Sequence, residues 1–157
     1  MILFVVFILR FTDASETDEE FGRERRQATD IVRIAKDYVG STRYSYDSFW
    51  WPGPSKYKCN YFVHDVLEEA GVSAPEREGW IFTGPISASS WFDTAEVKEG
   101  CSYVGGASSA QPGDVVADGS HVGIAVGGGK TVSARSDKVV ENDWGFRGEY
   151  VTVWRCR

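Results

Sequence analysis

The chain is short of positive charge, of cysteine and histidine, and of long hydrophobic segments, and each shortage narrows what it can be. Lysine and arginine number 17 against 23 aspartates and glutamates, a formal charge of −6. Nucleic-acid binding calls for a basic stripe, and no such stripe is present. The N-terminal apolar run, Ile2 to Leu9, is far shorter than the roughly 20 residues that span a bilayer, so no membrane anchor is expected. Three cysteines and two histidines show no zinc-site spacing, and no metal or other cofactor is expected. Repeats and low-complexity tracts are also missing.

What is present suits one domain. A chain of 157 residues buries about 70% of its unfolded surface on folding, enough for a real core. Aromatics make up 14%, with six tryptophans, more than a core of this size needs, which suggests a lined cleft.

Residues 1–14, with their short apolar core ahead of Thr12-Asp13-Ala14, read as a signal peptide, although no lysine or arginine precedes the run. Residues 15–26 are charged and without periodicity, so a disordered linker or propeptide is expected. They end in the basic cluster Arg23-Glu24-Arg25-Arg26, of the kind furin-like proteases cut. The mature domain is then 27–157, secreted and expected to act as a monomer.

In that compartment an odd number of cysteines leaves one unpaired. The natural partition is a Cys101–Cys156 disulfide that ties down the C-terminal strand, with Cys59 reduced.

Apolar spacing predicts a helix over 29–39, capped by Thr29 or Asp30 and closed by Gly40. A second runs from about Lys58 to Ala70, with Cys59 in its first turn on the stripe of Phe62, Val63, Val66 and Leu67. Between them lies an aromatic loop broken by Pro52-Gly53-Pro54, from which Tyr46, Trp50 and Trp51 are expected to line the cleft. Residues 72–110 read as irregular, with one short helix near Ser87–Asp93. Period-two alternation then predicts antiparallel strands at 114–117, 121–126, 130–134, 138–140 and 150–155. Helices first and a strand meander after give an α+β fold.

The chemistry centres on Cys59. A thiol attacks as thiolate, and the unpaired N–H groups of a helix start favour that form. A partner base must be one of two histidines. His64 falls on the polar side of the second helix with Asp65, Glu68 and Glu69, which makes it a surface residue. His121 opens a strand whose same face carries Gly123 and Ala125, leaving room for a helix end to bring Cys59 close. A third group normally orients the imidazole. Ser133, Glu141, Asn142 and Asp143 are open alternatives, and a carboxylate or amide from 141–143 is chemically the better orienter.

Three segments carry a resemblance. They are Lys58-Cys59-Asn60-Tyr61-Phe62-Val63, Gln111-Pro112-Gly113-Asp114-Val115-Val116, and Ser120-His121-Val122-Gly123-Ile124-Ala125-Val126-Gly127. Together they resemble the NlpC-type and CHAP papain-like amidohydrolases. With Asn142-Asp143-Trp144-Gly145-Phe146-Arg147 and the 129–134 segment, the chain is closer to the type VI secretion amidase effector 2 family and its domesticated relatives in ticks and mites, over about residues 30–155. The resemblance implies a papain-like single domain with Cys59 and His121 as the catalytic pair, no catalytic role for Asp114, and hydrolysis of amide bonds in bacterial peptidoglycan. The expected bond joins D-Ala to a diamino acid. Many NlpC-type enzymes carry a histidine where Ser133 stands, so this chain departs from their triad. A binding module with a dead site, a thiol acyltransferase on the same dyad, and a cysteine protease acting on proteins are the competing functions.

Overall fold

A computed structural model describes residues 14–81 and 83–157, and the expected signal segment lies outside these apart from Ala14. The first helix, α1, runs Ala14–Asp37, so the segment 15–26 is helical rather than disordered. The boundary expected at residue 27 falls inside it. Glutamate and arginine are good helix formers, and nucleation is the costly step of helix formation. Once Ile31, Ile34 and Ala35 are buried against the sheet, the helix extends outward at little cost. The outer half is also held, by Ala28 against the Gly113 turn and by Glu24 reaching Arg157 at 4.0 Å. Thr29 is no cap; its hydroxyl donates to the Arg25 carbonyl one turn back, at 2.9 Å.

Helix α2, Cys59–Glu69, buries Cys59, Phe62, Val63, Val66 and Leu67. Fully burying each of the four larger side chains contributes about 1.5–3 kcal/mol. The helix ends where Gly71 turns left-handed at φ 74°, with Gly71 N–H donating to Glu68 and Val72 N–H to Leu67. That pairing satisfies carbonyls the last turn would otherwise leave open.

The segment expected to be irregular holds a two-residue pair, β1 (Glu76–Arg77) with β2 (Gly84–Pro85), then α3 (Ala88–Phe92) and β3 (Cys101–Gly105). The remaining strands are β4 (Val115–Ala117), β5 (Val122–Gly127), β6 (Lys130–Ala134), β7 (Val139–Asn142) and β8 (Thr152–Cys156). They form one antiparallel sheet in the order β3-β8-β4-β5-β6-β7. The architecture is α+β, N-terminal helices on a C-terminal antiparallel sheet. Strand β3 lacks clean alternation, and its place at the edge depends on β8, where Cys101 pairs with Cys156 and the two form a disulfide.

Both faces of the sheet are covered. The helices pack on the face carrying Ala117, Val122, Ile124, Val126 and Val132. Val116, Ala125, Trp144, Val151 and Val153 form a smaller core on the other. The helix therefore meets the bulky side of β5, not the Gly123/Ala125 side, because that is where apolar area is available to bury. Gly123 has another use: a Cβ there would lie 2.8 Å from that of Ser133, so its absence lets β6 approach.

Buried Asp114 receives two bonds from Arg155, at 2.9 and 2.8 Å, and one from the Gln111 N–H. It fixes the 111–114 turn against β8, a structural task. Among the described residues no helix is long and apolar enough to cross a membrane.

Candidate active site

Cys59 and His121 border one cavity of about 640 Å³, along with Tyr57, Asp118, Arg135 and Trp144. Packing of α2 on β5 brings the start of the helix to the start of the strand. The backbone N–H groups of Val122, Asn60 and Cys59 itself all point at the sulfur. His121 is therefore the chain neighbour of a residue that donates to the Cys59 sulfur.

The imidazole is held on two sides, and the backbone behind it on a third. Its Nε2 lies 2.9 Å from the Ser133 hydroxyl, which leaves Nδ1 as the ring nitrogen free to work in the cleft. Trp144 meets the ring edge-on, with centroids 4.6 Å apart. Asp118 accepts from the His121 N–H at 2.8 Å and from the indole N–H of Trp144 at 3.3 Å. Burial pushes the Asp118 carboxyl up, but the N–H groups of Ser120 and His121 outweigh it and hold the group below the usual carboxylate range.

None of the alternative orienters in 141–143 serves the imidazole. Glu141 pairs with Lys36 at 3.7 Å, Asn142 accepts from the Trp144 N–H, and Asp143 holds Arg147 at 2.7 Å. Strand β7 is one strand further out than β6, beyond reach of the ring. Sequence reasoning gives Asp118 and Trp144 no role at the site: Asp118 stands in a polar Asp-Gly-Ser stretch that marks a turn, and Trp144 enters only within the Asn142–Arg147 segment of the resemblance.

Two charge states follow from the surroundings. Burial pushes the Cys59 thiol up, against the downward pull of the backbone N–H groups. Burial, then the Arg135 guanidinium, brings His121 down to about 4, with Asp118 opposing. At neutral pH the resting pair is thiol and neutral imidazole, competent for general-base rather than ion-pair activation.

The aromatic loop is arranged differently from expectation. Tyr57 lines the cavity, while Tyr46, Trp50 and Trp51 do not. Tyr46 stands behind Tyr57 with ring centroids 4.9 Å apart, Trp50 lies under Arg43 at 3.5 Å, and Trp51 is exposed. The loop is pinned by Lys58, the residue before the nucleophile. Only 2% exposed, its ammonium donates to the carbonyls of Ser45, Tyr46 and Lys56 at 2.8, 3.2 and 3.3 Å.

His64 stands away from the cavity, as expected, but is half-buried rather than free in solvent. Its side chain is 18% exposed and clasped between Asp65 at 3.4 Å and Glu76 at 3.0 Å, which joins α2 to β1. The bond to Asp65 raises its pKa.

A larger cavity, about 860 Å³, lies between the end of α2 and residues 96–100, and it is rimmed by glutamates and holds no cysteine or histidine. Among the described residues no three His, Cys, Asp or Glu side chains gather to hold a metal ion. Comparison of the chain with protein-family models and with curated protein sequences finds no match.

Proposed function

We propose that the chain is a papain-like cysteine amidohydrolase that works outside the cell on peptide amides of bacterial peptidoglycan. The observation that carries this reading is the shared cavity: a reduced cysteine at a helix start, a histidine held through Nε2, and backbone N–H groups between them. N-terminal helices on a C-terminal antiparallel sheet support the papain-like reading. Peptidoglycan as substrate comes from the resemblance of the Cys59 and His121 segments to the cell-wall amidases. The Cys101–Cys156 disulfide fits an oxidising destination.

The reaction proceeds through an acyl-enzyme. His121 Nδ1 takes the Cys59 thiol proton as sulfur attacks the amide carbonyl, and a tetrahedral oxyanion forms. The backbone N–H groups gathered at the sulfur, those of Cys59 and Asn60 in the first turn of α2 and that of Val122, are the donors closest to that charge. The Asn60 side chain is committed elsewhere, donating to the Ile86 carbonyl at 3.2 Å. The imidazolium gives its proton to the leaving nitrogen, the C–N bond breaks, and a thioester is left. Water, deprotonated by His121, attacks the thioester; the carboxylic acid leaves and the thiol is restored.

Digestion of purified cell-wall sacculi, with fragments resolved by mass spectrometry, tests this. The parent protein should release new free amines and carboxylates from the stem peptides. Cys59→Ala should release none while its circular dichroism stays unchanged. Sacculi left intact by folded parent protein would overturn the hydrolase reading.

A further inference from the structure

Arg135 follows β6 directly, two residues beyond Ser133, and it borders the cavity that holds Cys59 and His121. Its backbone N–H closes the turn to the Lys138 carbonyl, at 2.9 Å. Its guanidinium is exposed and has no side-chain hydrogen bond or ion pair among the described residues. The other cation of the cavity, Arg147, is already bound to Asp143 at 2.7 Å. An unneutralised guanidinium beside the base is a liability to the chemistry, because it repels the imidazolium that must form in every turnover. Such a placement serves the reaction when the substrate itself brings the counter-charge.

We infer that Arg135 is the carboxylate anchor of this cleft, selecting peptides in which a free carboxylate stands beside the scissile nitrogen. The leaving side follows from the mechanism. His121 delivers its proton to the leaving nitrogen, and Arg135 borders the same cavity, so the carboxylate is assigned to the substituent of that amine. Guanidinium and carboxylate match as a planar, two-bond pair. Once neutralised, Arg135 no longer opposes the imidazolium, so the carboxylate helps the chemical step as well as binding. The charged groups acting on His121 are Arg135 and Asp118, and Glu149, Arg147 and the titratable Cys59 thiol also border the cavity. The inference rests on the hydrolase reading for its choice of side, and its test separates the two.

The probes are a D-alanyl–diamino acid peptide with a free carboxylate beside the scissile nitrogen and the same peptide with that carboxylate amidated. The parent protein should favour the free acid in kcat/KM by on the order of ten- to a hundredfold, the worth of one charge-assisted pair. Arg135→Gln should cut both peptides at the rate of the amide, and Arg135→Lys should keep part of the preference. Arg135→Gln should also move the acid limb of kcat/KM on the amide to higher pH, a shift that general loosening of the fold would not produce. Calorimetric binding of both peptides to Cys59→Ala, with and without Arg135→Gln, gives a readout independent of turnover. Preferential binding of the acid that vanishes with Arg135, without any cleavage by the parent, sinks the hydrolase reading and keeps the anchor. Cleavage of both peptides at equal rates, or a preference that survives Arg135→Gln, overturns the anchor. Neither cleavage nor preferential binding overturns both.

Discussion

The Ser133 hydroxyl sits 2.9 Å from Nε2 of His121, on the strand beside β5, and it reaches the ring because Gly123 has no side chain in the way. Ser133 is buried, so the bond is shielded from water. Ser133→Ala should leave the buried Nε2 without its partner, costing about 1–3 kcal/mol and lowering kcat/KM by roughly ten- to a hundredfold. Steady-state kinetics alongside thermal melting check it, and activity equal to the parent would remove Ser133 from the site.

The pH response follows from His121 at about 4 and from the raised Cys59 thiol. Activity should hold down to about pH 5 and fall through pH 4, as His121 protonates. An unfolded histidine binds its proton at about pH 6.5. Between that pH and 4 the unfolded chain therefore holds more protons than the folded one, and stability falls as pH is lowered through that window. His64, raised by Asp65, contributes with the opposite sign. The difference in Tm between parent and His121→Asn across pH 4–6.5 isolates the His121 contribution, and it should shrink to nothing or reverse at the acid end.

Lys58→Met should free the aromatic loop. Three carbonyls lose their donor, and at about 1–3 kcal/mol for a buried group left unsatisfied, the fold should weaken measurably by denaturant titration. Tyr57 and Cys59 flank the released segment, so kcat/KM should fall as well. Stability within 0.5 kcal/mol of the parent, roughly the range of ordinary surface substitutions, would show that the buried ammonium does not hold the loop.

The disulfide closes a loop with a sequence separation of 55, for which chain entropy predicts at most about 4 kcal/mol. Cys101→Ser with Cys156→Ser should lower the denaturant midpoint and loosen β3 first, visible as faster amide exchange there. Alkylation of the unreduced, active parent should label Cys59 alone; label on Cys101 or Cys156 would contradict the pairing.

The dyad was legible in the sequence because each half has a local signature. Cys59 opens a helix whose apolar stripe is plain at three- and four-residue spacing, and His121 begins an alternating strand. The three-cysteine count led to the observed bridge by parity. The inner part of the N-terminal helix was legible from apolar spacing over 29–39, but its outer part was not, since charge and absent periodicity look the same in a disordered linker and in a helix whose inner end alone is buried. Strand β3 was missed because pairing with β8 and a disulfide hold it at the edge, without the alternation that marks a half-buried strand.

Composition and spacing by themselves determined the class of the fold, its two longer helices and the strands after residue 113, and the cysteine and histidine that border one cleft. The tertiary structure alone decided what surrounds them. Which face of β5 meets the helix depended on where apolar area could be buried, and both faces were apolar enough to compete. Ser133, and not a carboxylate of 141–143, reaches His121 because β6 is the neighbour of β5 and β7 is one strand further away. Asp118 holds the His121 backbone and the Trp144 indole, and Trp144 the ring, from positions 3 and 23 residues away in the chain. Distances of that kind are fixed by packing, and no local pattern of residues encodes them.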